Sequence, residues 1–146
     1  VANTDIGRMH AEALQRMLSD LPYPIYVGEV TDGQPDYPYL VLWPPPANRQ
    51  TLLMNGYSGE ATTVTQITAA GRDVWEVITA LDRVSAKLHR RRPEIPGRRC
   101  GLVGQVDDAA PPPQPQRDEQ VSTPERPVFF SFLHFRLHST AASQEP

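Results

Sequence analysis

Residues 61–92 read ATTVTQITAAGRDVWEVITALDRVSAKLHRRR, and no other stretch of the chain constrains the fold as tightly. A half-polar strand, Ala61 to Ala69, passes through Gly71 directly into an amphipathic helix. Within a few positions, alternation of period two gives way to recurrence every three or four residues. The helix is expected over Arg72 to Arg91, with Val74, Trp75, Val77, Ile78, Leu81, Val84 and Leu88 as one apolar face. Asp73, Glu76, Asp82 and Lys87 lie off that face. A strand and helix of this kind bury one sheet face under one helix stripe, the start of a layered α+β domain. The stretch holds no Ser/His/Asp set, no metal-ligand cluster and no phosphate loop, so its residues suit packing and self-association.

The remaining elements follow from the same periodicities. Ile6, Met9, Ala13, Leu14, Met17, Leu18 and Leu21 recur at helical spacing, giving a first helix over Asp5 to Leu21. Thr4 or Asp5 can cap its start, and Pro22 and Pro24 stop it. Short strands are expected at Ile25 to Val30 and Tyr39 to Trp43, the second ended by Pro44-Pro45-Pro46. Cys100 to Val106 reads as a further strand. Val128 to Leu137 is the clearest one. Phe129, Leu133, Phe135 and Leu137 share one of its faces, and His134, Arg136 and His138 share the other with Phe130 and Phe132. The expected order is helix, three strands, helix, two strands. This is an α+β fold with a mainly antiparallel sheet of four to five strands and two helices packed on one face.

Three segments stand apart within what reads as a single domain over residues 1–138. Residues 44–60 form a projecting arm or loop carrying Leu52, Leu53, Met54 and Tyr57, with Trp43 at its base. Either these groups project as an interface or they fold back on their own core. Residues 107–127 are rich in Pro and Gln and are expected to be a flexible or extended loop that packs no core. Residues 139–146 read as a disordered tail.

Length and charge narrow the function classes. A chain of 146 residues favours one domain. No apolar run approaches the length needed to span a bilayer, and the start lacks the basic and apolar pattern of a secretory signal. A net charge of −3 argues against a dedicated nucleic-acid binder. Cys100 is the only cysteine, so no internal disulfide forms.

No constellation carries chemistry, and no catalytic residue, cofactor site or metal site is expected. His134 and His138 share a strand face but lack supporting ligands for a metal. His10 and His89 read as ordinary surface histidines. Cys100, flanked by Arg99, reads as a small buried apolar residue. The one charge cluster is Arg90, Arg91, Arg92, Arg98 and Arg99. It admits two readings. One is a helix C-cap with a solvated loop; the other is a basic patch that meets an acidic partner surface or a DNA backbone.

The element order resembles the tail terminator (tail completion) proteins of long-tailed bacteriophages. The similarity is carried by the leading helix to Leu21, the strand ending in Val27-Gly28, the strand Tyr39 to Trp43, and the strand Val64-Thr65-Gln66-Ile67-Thr68. That last strand runs into a helix with Val74, Ile78, Leu81 and Leu88, followed by an Arg-rich exit and the final strand Val128 to Leu137. The resemblance implies a ring-forming subunit, commonly hexameric, in the virion at the head-proximal end of the tail, assembled in the host bacterial cytoplasm. Such a ring stops tube polymerisation and docks the head connector. The implied partners are copies of itself, the major tail tube protein and a head-completion or connector protein, with non-specific genomic DNA contact and no membrane. A neighbouring head–tail connector or stopper protein is the alternative, and a small enzyme with an unrecognised site is a third.

Overall fold

The computed structural model describes residues 5–50, 60–106 and 112–142. The elements run α1 (Ile6–Met17), β1 (Ile25–Val27), β2 (Tyr39–Trp43), β3 (Asn48–Gln50), β4 (Glu60–Gly71), α2 (Val74–Leu88), β5 (Arg98–Cys100), β6 (Gly104–Val106), β7 (Gln116–Arg117) and β8 (Phe129–Ala141). One sheet holds all the strands, with the spatial order β1-β2-β4-β8-β5. Three short strands join it off this path: β3 on β4, and β6 and β7 on β8. Among the described residues only β1 and β2 pair in parallel. The α+β, mainly antiparallel expectation holds. The additional strands β3 and β7 were hidden because they are only three and two residues long.

The centre is the β4–β8 ladder, which runs from Ala61 opposite Ser139 to Gly71 opposite Phe129. Odd-numbered residues of both strands face the helices. Thr63, Thr65, Ile67 and Ala69 are buried there with Ser131, Leu133, Phe135 and Leu137. Both helices cover this one face. Leu14 and Leu18 from the first helical segment and Val77, Ala80, Leu81, Val84 and Leu88 from α2 close the core over Leu40 and Leu42. Burying an aliphatic side chain fully is worth about 2 kcal/mol, so this layer supplies most of the driving force.

The junction between β4 and α2 explains Gly71. A Cβ there would lie 2.8 Å from Glu76 Cβ, so strand and helix meet too closely for a side chain. Asp73 accepts from Glu76 N–H at 2.8 Å, and Glu76 reaches back to accept from Arg72 N–H at 2.7 Å. This reciprocal cap fixes where the strand stops and the helix begins.

Several boundaries differ from the sequence expectation. α1 ends at Met17 because residues 18–20 tighten into a turn, with Ser19 Oγ donating to the Arg16 carbonyl at 2.7 Å. α2 ends at Leu88, short of Arg91. The expected strand from Cys100 to Val106 splits into β5 and β6, both on β8. The final strand reaches Ala141, so Ser139 is a buried ladder residue rather than part of a loose tail. In the Pro/Gln-rich segment, β7 pairs with Phe130 and Phe129, and Ser131 Oγ donates to the Pro113 carbonyl at 2.6 Å. Polyproline backbone lacks donors but keeps its acceptors, which is how it attaches to a strand side chain.

The triple proline is a bulge. Trp43 pairs with Gln66 and Asn48 with Thr62, so residues 44–47 face only residues 63–65 of β4. Proline has no N–H for the ladder, so pairing lapses and resumes one residue out of step.

Candidate interaction surfaces

The arm is the connection between two paired strands, Gln50 opposite Glu60. Leu52, Leu53, Met54 and Tyr57 lie outside the described residues. At its base Trp43 is 43% exposed, on the sheet face away from the helices. Its indole Nε1 donates to Thr68 Oγ1 at 3.0 Å, which ties the side chain to β4. Val64 is exposed on the same face. The bulge beside it packs on the start of α1, where a Cβ on Gly7 would lie 2.8 Å from the Pro45 carbonyl. An open cleft of about 710 Å³ runs between this first helical turn, the prolines and Val27.

The arginines separate into two groups. Arg98 is only 7% exposed, with Nε donating to Ser139 Oγ at 2.8 Å and Nη2 to the Ser139 carbonyl at 3.2 Å. It braces β5 against β8 and is not part of an exposed patch, because β-pairing turns its side chain into the protein. Arg90, Arg91, Arg92 and Arg99 are exposed. Arg92, Arg98 and Arg99 border one cleft of about 480 Å³, so the fold does bring these cationic segments together.

The histidines also separate. His10 is fully buried, not a surface residue as its helical position suggested. Its Nδ1 lies 2.8 Å from Thr63 Oγ1 and its Nε2 2.7 Å from Ser139 Oγ. Burial first, then the positive charges of Arg98 and His138, lower its pKa to about 4. His134 and His138 share the outer sheet face as expected, and His138 Nδ1 lies 2.9 Å from Thr62 Oγ1. Among the described residues, no group of three His, Cys, Asp or Glu side chains is placed to hold a metal ion. Cys100 is half-buried, and burial pushes its thiol pKa up. A protonated thiol is a poor nucleophile.

Trp75 overturns its expected core position: it is 74% exposed. The buried stripe of α2 is Val77, Ala80, Leu81, Val84 and Leu88, and Trp75 lies almost opposite it around the helix. The helical wheel carried that signal, but apolarity alone outweighed it. Leu102 and Val121 are further exposed apolar groups.

No protein-family model matches the chain, and no curated protein matches it. The fold is similar to that of a chain in the virion of a native gene transfer agent particle. The TM-score is 0.72 at 13% identity, covering 94% of this chain and 99% of the other. The likeness therefore spans nearly the whole of both chains rather than a shared substructure. Among the described residues no helix is long and apolar enough to cross a membrane.

Proposed function

We propose that the chain is a structural subunit of a phage-like virion, and within it a tail terminator: a ring that caps the head-proximal end of the tail tube. The observation that carries this is the end-to-end likeness of fold to a virion chain. The surfaces agree with it. A closed ring needs two different patches per subunit that complement each other. Trp43 and Val64 are exposed on the sheet face away from the helices, and Trp75 is exposed on α2, on the other side of the sheet. Large aromatic groups at such positions are frequent interface anchors. On this reading Trp43, Leu52, Leu53, Met54 and Tyr57 meet a neighbouring subunit or the tube protein, and the opposite end of the ring receives the connector.

Mass measurement of the purified protein, alone and with tail tube, tests the reading. Ring-sized particles, or rings seated on tube ends by electron microscopy, are expected. A protein that stays monomeric at high concentration and ignores the tube refutes it. The head–tail connector or stopper role draws on the same fold likeness. Capture by portal-side protein in preference to tube protein would favour that role.

A further inference from the structure

The end of α2 carries a rim of arginines that folding does not consume. α2 stops at Leu88, and the cation in its last turn is Lys87, which pairs with Asp20. Arg90, Arg91 and Arg92 lie past the helix; the Arg91 backbone N–H caps it by donating to the Leu88 carbonyl at 3.1 Å, which uses main chain and leaves the three guanidinium groups over. Their backbone is nonetheless fixed. Arg90 N–H donates to the Val103 carbonyl at 2.7 Å, and the Arg91 carbonyl accepts from Val103 N–H at 2.8 Å. Arg92 and Arg99 border the same cleft. None of Arg90, Arg91, Arg92 and Arg99 forms an ion pair among the described residues. Residues 90–99 hold five arginines against the single carboxylate Glu94, in a chain whose net charge is −3.

Arg90 supplies an independent observation. Its φ is +61°, the one left-handed non-glycine residue among those described. Just past a helix end this conformation normally belongs to glycine. A side chain there costs roughly 1 kcal/mol. An arginine kept where glycine would be more stable is the kind of outlier that marks a used side chain.

We propose that Arg90, Arg91, Arg92 and Arg99 form a contact rim for the phosphodiester backbone of duplex nucleic acid. Guanidinium forks match phosphate oxygens in pairs, and neutralising phosphates releases counterions. The rim is irregular backbone at Arg90, Arg91 and Arg92 and a three-residue strand of the sheet at Arg99, with no helix or free ribbon to enter a groove, so binding is sequence-independent. The inference deepens the ring reading and rests on it only for where a duplex is met; the assay below reads the rim alone, so the two fail separately.

The test is fluorescence anisotropy of the full chain with a mixed-sequence duplex of about 30 base pairs, titrated between about 50 and 200 mM salt. With three or more phosphate contacts, affinity should fall about 40-fold or more across that range. The variant R90Q/R91Q/R92Q/R99Q should lose that salt dependence and bind at least about tenfold more weakly at the low-salt end. Unchanged binding by this variant, or no wild-type binding at low salt, overturns the proposal. Equal or tighter binding of poly-glutamate overturns it in favour of an acidic protein surface. The variant R90G provides a second arm: it should melt higher than wild type yet bind the duplex more weakly. A stabilised R90G with wild-type affinity removes Arg90 from the rim.

Discussion

His10 Nε2 lies 2.7 Å from Ser139 Oγ, joining the first helix to the last strand across almost the whole chain. Arg98 Nε donates to the same hydroxyl, so one buried oxygen connects α1, β5 and β8. A neutral imidazole suits this site, since a second N–H would add a cation beside Arg98.

That relationship gives stability a pH dependence. The His10 pKa falls from 6.5 to about 4 on folding, so between these values the unfolded chain binds more protons. The contribution is fully present above pH 6.5 and is lost as pH falls toward 4, by up to a few kcal/mol. Denaturant titrations at several pH values within that window should show the slope. H10Q, which keeps polar partners for Thr63 and Ser139, should flatten it; an unchanged slope would transfer the effect to other groups.

Thr65 should tolerate loss of its hydroxyl. Its Oγ1 is buried against the core with no hydrogen-bond partner among the described residues. T65V keeps the shape and removes an unsatisfied polar atom, a gain of about 1 kcal/mol. The melting midpoint should rise by about 3 °C in a domain of this size. A fall would show that the hydroxyl is satisfied in solution.

Gly7 should resist a substitution that helix propensity favours. Alanine is better than glycine inside a helix by about 1 kcal/mol. Here the added Cβ would lie 2.8 Å from the Pro45 carbonyl, a backbone atom held by the proline bulge. Overpacking of this kind costs about 1–3 kcal/mol, so the steric term wins. G7A should unfold at lower denaturant concentration than wild type, and a more stable G7A would mean that the bulge yields.

Trp75 and the arm should affect assembly and leave folding intact. W75S removes a side chain that is 74% exposed, so stability should change by less than about 0.5 kcal/mol. A core tryptophan would instead cost about 3–5 kcal/mol. L53D should likewise preserve the melting midpoint while abolishing ring-sized particles in mass measurement. Collapse of stability in L53D would assign Leu53 to the core.

Much of the fold was legible where one period persisted. β2 has the bounds that its aromatic and branched run suggested, and the alternating faces of β8 are those of its residues. Less of the candidate surface was legible. Arg98 and Arg99 are neighbours of identical type, yet strand pairing buries one and exposes the other. His10 looks like any helical histidine until Thr63 and Ser139 arrive from distant strands.

By itself the sequence determined the layers: a period-two strand joined through Gly71 to a period-3.6 helix, with a second helix and a long final strand to complete them. Those patterns are local, because each depends only on which side chains fall on the same side of one element. Tertiary structure alone decided that the triple proline is a bulge on Gly7, that β7 attaches to β8, and that His10 is buried. It also decided that the backbone of Arg90 and Arg91, past the end of α2, is bonded to Val103. Each of these rests on contacts between residues far apart in the chain, whose meeting no local periodicity encodes.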